Sequence, residues 1–403
     1  MRVKLGDIAK INGQSVGNKF PYSKMKYLDT SSITKGIISN IQEFEYPSKD
    51  IPSRAQRVVK DKTIIYSTVR PRLCHFGILL NPDKNLIVST GFVTIDVDEK
   101  IADPIYIYNI LRDNKITDYL GNIADTAVSS YPSISSNDLR DLEIDILEDL
   151  EEQKQIGNFL LSIDKQINTN NEINAELESM AKTLYDYWFL QFEFPNEEGK
   201  PYKSSGGKMI WNEELKREIP KGWEVKKVGD ILEEANKSKI QVNNANGKGK
   251  YPFFTSGESV LAFDEYLVDG FNIFLNTGGN PDIKAYMGKC AYSTDTWCIS
   301  ANEFSYVLYY YLLKFMPQFE QLFFAGSGLK HLQKDSLKNQ YILLPDDKTQ
   351  KRFNNTCVLN WKKTTNCLIV NQELTSLRDF LLPLLMNGQV SLKSNCWKPQ
   401  IFS

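Results

Sequence analysis

Gln153-Lys154-Gln155-Ile156 and Asn174-Ala175-Glu176-Leu177-Glu178-Ser179-Met180 return later as Gln350-Lys351-Arg352-Phe353 and Asn371-Gln372-Glu373-Leu374-Thr375-Ser376-Leu377. Both pairs share one offset, 197 residues, so the segments between them have equal length. Equal length is what a helix that must keep its register requires. Further out, Gly6-Asp7-Ile8 returns as Gly229-Asp230-Ile231 with an offset of 223, and Ser136-Asn137-Asp138-Leu139 answers to Lys334-Asp335-Ser336-Leu337. The offset changes between these regions. Each half of the chain therefore carries a variable part followed by a fixed part, an internal repeat of two long units.

The fixed parts read as helices. A heptad frame from Ile156 puts Leu160, Ile167, Asn174, Ala181 and Trp188 in one row and Ile156, Ile163, Asn170, Leu177 and Leu184 in the other. No Pro or Gly interrupts residues 158–194, and polar Asn170 and Asn174 sit mid-seam, where such residues fix register at a cost in stability. The same frame in the second half gives Phe353, Cys357, Asn360, Thr364, Cys367, Asn371, Leu374, Arg378, Leu381 and Leu385, a poorer seam. The pattern predicts an antiparallel intramolecular pair, each helix ~40 residues and ~60 Å long. Two independent core helices are the blander reading.

The variable parts mix strands and helices. Residues 63–68, 86–90, 92–97, 272–276 and 341–345 are rich in β-branched and aromatic residues and bounded by Gly, Asn and Pro, as strands are. Residues 105–120 and 304–324 read as helices. Between the halves, 195–222 carries Pro, Gly, Ser and mixed charge and reads as a linker with little core of its own.

Composition narrows the classes. The 403 residues are 41% hydrophobic and 24% charged, a globular balance, and length alone suggests two or three domains. Forty-eight basic residues against fifty acidic ones exclude a global positive field, so any anion-binding surface is local. Residues 49–84 hold eight basic residues against three acidic, whereas 85–145 hold four against eleven. Two His (His75 and His331) exclude a multi-histidine metal site, and no metal ligand set is expected. Six Cys without paired spacing, no apolar leader at the N-terminus and no apolar run long enough to span a bilayer predict a cytoplasmic protein without membrane contact.

The order globule, long helix, linker, globule, long helix resembles the specificity subunit of type I restriction-modification systems. So does the local wording: Leu184-Tyr185-Asp186-Tyr187-Trp188-Phe189, then Phe194-Pro195-Asn196 through Ser204-Ser205-Gly206-Gly207, then Ile219-Pro220-Lys221-Gly222-Trp223. Tyr131-Pro132-Ser133-Ile134, Leu150 to Lys154 and Leu382-Pro383-Leu384-Leu385-Met386-Asn387-Gly388 agree as well. The resemblance extends to about Val390. It implies an α+β chain with a pseudo-twofold internal repeat, in which two α/β target-recognition globules are separated by two long antiparallel coiled-coil helices. The expected divisions are 1–147 and 223–345 for the globules, 148–193 and 346–390 for the helices, 194–222 for the linker and 391–403 for a tail. The implied partners are double-stranded DNA, two methyltransferase subunits and a motor-nuclease restriction subunit. This chain would hold no cofactor and no catalytic residue; S-adenosylmethionine, ATP and Mg would belong to the partner subunits.

Because recognition domains vary with their targets, the DNA-contacting candidates come from residue chemistry. Arg54, Arg57, Arg70 and Arg72 lie in the basic segment beside Tyr66, Ser67 and Thr68; Arg can grip guanine with two hydrogen bonds, while hydroxyls and Lys mostly position the backbone. Ser129 and Tyr131 fall in a small polar loop that matches, by position, the loop holding Lys330 and His331. In the second globule Lys248, Lys250, Asn276, Asn280, Lys284 and Lys289 line Gly-rich turns. For each of these a solvated face or an ordinary turn is the competing explanation. Trp188, Trp223 and the tyrosines of 306–311 read as core, and Cys290 and Cys298 as core thiols.

Three rival functions are weaker. Asn280-Pro281-Asp282 with Phe324-Ala325-Gly326-Ser327-Gly328 is similar to amino-methyltransferase motifs of the DNA adenine type, but lacks the second Pro and the aromatic. Pro82-Asp83 followed by Asp98-Glu99-Lys100 fits a metal-dependent nuclease pattern that recurs by chance at 345–348. A coiled-coil scaffold with two protein-binding heads is compatible with composition, but predicts no salt-dependent affinity for DNA.

Overall fold

The computed structural model describes residues 1–392 apart from 18–19, 127–131, 246–248, 258, 329 and 387. The chain divides into two compact units, Met1–Ile167 with Gln372–Ser403 and Asn168–Asn371, so both long helices contribute to both units.

In the first unit, Thr63–Ser67 is buried along its whole length. It lies between Phe92–Val97 and Phe76–Leu79, with Ala9–Ile11 at the edge, all antiparallel. Burial on both faces is why this strand reads as a continuous β-branched and aromatic run. A second sheet runs Gln42–Glu45, Lys24–Leu28, Leu86–Ser89, Ala55–Val58, and its central pair is parallel.

The second unit repeats this plan. Phe271–Asn276 lies between Thr296–Ser300 and Ile283–Met287, with Glu233–Glu234 at the edge. Val260–Phe263, Tyr251–Phe254 and Ala291–Tyr292 form the second sheet, again with one parallel pair. Ala55–Val58 has no counterpart there among the described residues.

The short repeats mark equivalent joints. Arg2–Lys4 pairs with Glu143–Asp145, and Glu224–Lys227 with Tyr341–Leu344. Each first strand runs into one helical turn, Leu5–Ile8 or Val228–Ile231, that carries the Gly-Asp-Ile. A Cβ at Gly6 would stand 3.1 Å from the Arg140 carbonyl, and one at Gly229 3.1 Å from the Lys338 Cβ, so the glycines permit close approach of the helices Ser136–Arg140 and Lys334–Lys338. Gln153 and Gln350 are both buried. The Gln153 side chain accepts from the Asp103 amide (2.9 Å) and donates to the Leu147 carbonyl (2.7 Å); the Gln350 side chain donates to the Glu303 carbonyl (2.8 Å).

The long helices span Leu150–Tyr185, continued by a π-helical turn Asp186–Leu190, and Asp347–Met386. Asp149 accepts from the Glu151 amide at 2.8 Å and Asp346 from the Lys348 and Thr349 amides at 3.0 Å, the capping that an orphaned first turn needs. Every seam position of both heptad frames is buried or half-buried. In the first unit Ile156, Leu160, Leu382 and Leu385 share one core with partly buried Leu381, and Asp164 takes ion pairs from Arg112 and, at 2.9 Å, from Arg378. In the second unit Asn170 donates to Asn371 (2.7 Å), Asn371 donates to Asn171 (2.9 Å), and Tyr185, Trp188 and Phe189 pack on Phe353. Within each unit the order of these contacts makes the pair antiparallel.

Two expectations change. The stretch read as a linker with little core of its own is structured: Met209–Asn212 and Arg217–Pro220 form a hairpin, and buried Phe194 and Ile219 belong to the second unit's core. Phe194 stacks on Tyr202 and Trp223, which anchors a segment whose composition hides its apolar residues. The two helices read as 105–120 and 304–324 are each broken. Asp113 caps a new helix, Asn114–Thr126, by accepting from the Lys115 amide, and a short 3-10 turn, Met316–Gln318, carries Pro317 before Phe319–Phe323.

Candidate DNA interface

The site is built where the central strand of each unit ends. After Thr63–Ser67 comes Thr68, whose amide and hydroxyl both donate to the Gly91 carbonyl at 2.9 and 3.0 Å. After Phe271–Asn276 comes Thr277, whose amide and hydroxyl both donate to the Asp295 carbonyl at 3.0 Å. The carbonyl of Thr68 accepts from Ile134, and that of Thr277 from Leu332. Two residues on, the Arg70 amide donates to Pro132 (2.9 Å) and the Gly279 amide to Lys330 (3.2 Å). Thr90 donates to the Arg54 carbonyl, and Thr294 to the Ile240 carbonyl. Each unit thus has one rim of four segments, joined by the same five hydrogen bonds.

Both rims put the second residue after the Thr at positive φ, +47° for Arg70 and +81° for Gly279. Gly adopts that backbone freely, whereas a residue with a Cβ pays roughly 1–2 kcal/mol. The shared hydrogen bonds, each worth about 1 kcal/mol net, are enough to hold Arg70 there.

The sequence candidates separate in space. Arg54 and Arg70 are exposed on the first rim. Arg57 is half-buried on the strand Ala55–Val58, its Nε without a hydrogen-bond partner among the described residues. Arg72 is engaged by Asp125 (2.5 Å) and the Asn122 side chain (2.7 Å) on the neighbouring helix. Tyr66 is corrected to a core residue: it is 1% exposed, stacks on Phe76, and burial pushes its hydroxyl pKa up to about 12. Ser129, Tyr131 and Lys248 lie outside the described residues.

In the second unit Lys330 and His331 lie on the rim, with Lys330 ion-paired to Glu320 and His331 bridging to Gly278. Asn276 is corrected to a turn-builder: 3% exposed, it donates to the Asn280 carbonyl and accepts from the Asp282 amide. Lys284 is corrected likewise, since its ammonium is held by Asp282 and the Gly257 carbonyl. Lys250 and Lys289 are exposed beside the paired rings of Tyr251 and Tyr266, with Lys289 Nζ 4.6 Å from the Tyr266 centroid. Thr68 is among the hydroxyls that residue chemistry singles out, whereas its counterpart Thr277 is not; each stands immediately after the buried strand of its half.

The family model for the type I restriction modification DNA specificity domain matches residues 1–179 and 220–353. The chain belongs to that family. Specificity subunits of this family are generally non-catalytic. This specificity subunit is 27% identical to the type I restriction enzyme MjaIX specificity subunit of Methanocaldococcus jannaschii, over 96% of this chain and 94% of that one. It is 23% identical to the HindI specificity subunit of Haemophilus influenzae, over 96% and 98%. The crystal structure of the type I restriction-modification S subunit from M. genitalium has the same fold, with a TM-score of 0.56 at 16% identity over 96% of each chain. Among the described residues, no helix is long and apolar enough to cross a membrane.

Proposed function

We propose that this specificity subunit reads a split site in double-stranded DNA, one half-site through the rim of each unit. The long helix pair docks two methyltransferase subunits, and a motor-nuclease subunit joins for restriction. The chain itself contributes no catalytic group; S-adenosylmethionine, ATP and Mg serve its partners in the cytoplasm. The observation that carries this reading is the pair of rims, alike in hydrogen bonding and unlike in side chains. A reader of two different half-sites needs that combination, because half-site spacing follows protein geometry while base identity follows side chains.

The test is methylation mapping on a randomised duplex library with type I methyltransferase subunits, with and without this chain. A split motif that requires the chain is expected, and replacing residues 1–147 by another such domain should change one half alone. Methylation indifferent to the chain would leave the scaffold reading. Change in both halves together would end the two-module model.

A further inference from the structure

We propose that the second unit binds a small organic phosphate in a cavity between the end of the first long helix, the hairpin and the helix Ser305–Lys314. None of the residues concerned belongs to the rim, so the proposal stands apart from the split-site reading.

Three hydrogen-bond donors line one cavity of about 400 Å³: the Tyr185 hydroxyl, the Arg217 guanidinium and the Lys314 ammonium. Tyr185 is 5% exposed and stacks on Phe189, with ring centroids 4.8 Å apart. Among the described residues its hydroxyl has no hydrogen-bond partner. The repeat does not require a hydroxyl there, because 197 residues on the seam has Leu382. Arg217 begins the second hairpin strand, half-buried, its guanidinium carbon 5.1 Å from the Phe192 ring centroid. Lys314 ends its helix and lines an adjoining cavity with Tyr185 as well.

Neither cation is ion-paired among the described residues. The acidic residues of the cavity walls, Glu214 and Asp186, are both exposed. Burial, and after it the charge of Arg217, hold the Lys314 pKa below the usual lysine value in spite of Asp186. Burial also raises the Tyr185 pKa, so that hydroxyl remains a neutral donor. Two like charges held together with part of their water removed are unfavourable, and an incoming anion would offset that cost.

The donor set indicates which anion. A phosphate monoester carries roughly −1.5 to −2 charges at neutral pH and three acceptor oxygens, against two cations and one hydroxyl here. A carboxylate would leave one cation unanswered. Phe189, Leu190, Leu215, Phe315 and Leu343 supply apolar wall for an organic body. The volume is also within the roughly 300–1,000 Å³ of small-molecule sites.

The experiment titrates the full chain with phenyl phosphate, inorganic phosphate and benzoate by calorimetry at constant ionic strength, with thermal unfolding of each variant as the check on its folding. Phenyl phosphate is expected to bind at one site and to raise the unfolding temperature as its concentration increases. Arg217→Gln and Lys314→Gln should each weaken it by about tenfold or more, the order of one charge-assisted hydrogen bond. Tyr185→Phe keeps the stacked ring and should weaken it by less. Lys216→Gln removes the exposed lysine beside Arg217, which is paired with Glu213, and should bind as the wild type does. Inorganic phosphate lacks the apolar contacts and benzoate the second charge, so both should bind more weakly.

No binding of phenyl phosphate, or binding untouched by both Arg217→Gln and Lys314→Gln, would overturn the site. Equal weakening in Lys216→Gln would overturn it as well, leaving general surface attraction. Benzoate binding more tightly than phenyl phosphate would overturn the choice of phosphate. Displacement of phenyl phosphate by an unrelated duplex would overturn the small ligand and make the cavity part of a DNA surface.

Discussion

Ile156 and Phe353 hold the same place in the repeat, and neither has any accessible surface, yet their surroundings differ in kind. Ile156 sits among Leu160, Leu382 and Leu385, whereas Phe353 is ringed by Tyr185, Trp188, Phe189 and Tyr310. Around both, the hydrogen-bonding apparatus is shared: a buried Gln three residues earlier and an Asp capping the helix start. The halves have kept the groups that fix the path of the chain and exchanged those that fill space. The rims obey the same rule, with Thr68 and Thr277 kept and Arg70 and Gly279 exchanged.

The largest effects come from emptying the two cores. Phe353→Ala should cost about 3–5 kcal/mol and Ile156→Ala about 2–5 kcal/mol, with the cavity adding to the lost transfer energy. Aromatic pairing adds to the first, so Phe353→Ala should be the more damaging. Hydrogen exchange followed by mass spectrometry checks this. Loss of protection should centre on the unit that holds the substituted residue; equal loss in both units from either change would break the comparison.

A smaller effect tests the repeated Gly-Asp-Ile. At Gly6 an added Cβ collides with the Arg140 side chain near its root, while at Gly229 the nearest atoms are the Lys338 Cβ at 3.1 Å and its carbonyl at 3.2 Å. Gly6→Ala should therefore destabilise by about 1–3 kcal/mol, the range of overpacking, and Gly229→Ala by less. Calorimetric unfolding of the two variants would show the order, and a reversed order would mean that the joints are not equivalent.

Much of this organisation is legible in the sequence because a helix seam repeats at fixed spacing. The heptad rows from Ile156 and Phe353 fall on buried or half-buried positions throughout, and the buried strands read directly from their β-branched runs. The segment 194–222 was opaque for a physical reason. Its few apolar residues, Phe194 and Ile219 among them, are scattered between Pro, Gly and Lys, and only their stacking on Trp223 and its neighbours shows that they belong to a core. Tyr66, Asn276 and Lys284 misled for a related reason. A polar side chain already occupied inside the fold has the same letter as one offered to a ligand, and the Asp282 that takes Lys284 is recognisable only in three dimensions. The rims were hidden most completely, since four of their five shared hydrogen bonds link backbone atoms, between segments far apart in the chain and unlike in sequence.

The smallest effect sharpens the comparison of those rims. Where the first rim carries exposed Arg54, the second carries half-buried Ile240, each offering its carbonyl to a threonine amide. That bond is made by the backbone and survives a change of side chain, so Arg54→Ile should leave the rim intact. What it removes is one exposed cation of the rim, which on the proposed split-site reading faces the duplex. Neutralising one phosphate contact lowers the slope of log affinity against log salt by about one, and weakens all sequences alike. Binding of the assembled complex to its own site and to an unrelated duplex, across a salt series, measures both quantities. The expected result is a shallower slope with an unchanged ratio between the two duplexes. The converse variant, Ile240→Arg, should steepen the slope by a similar amount. If Arg54→Ile instead changed the ratio, Arg54 would be reading bases rather than positioning the backbone.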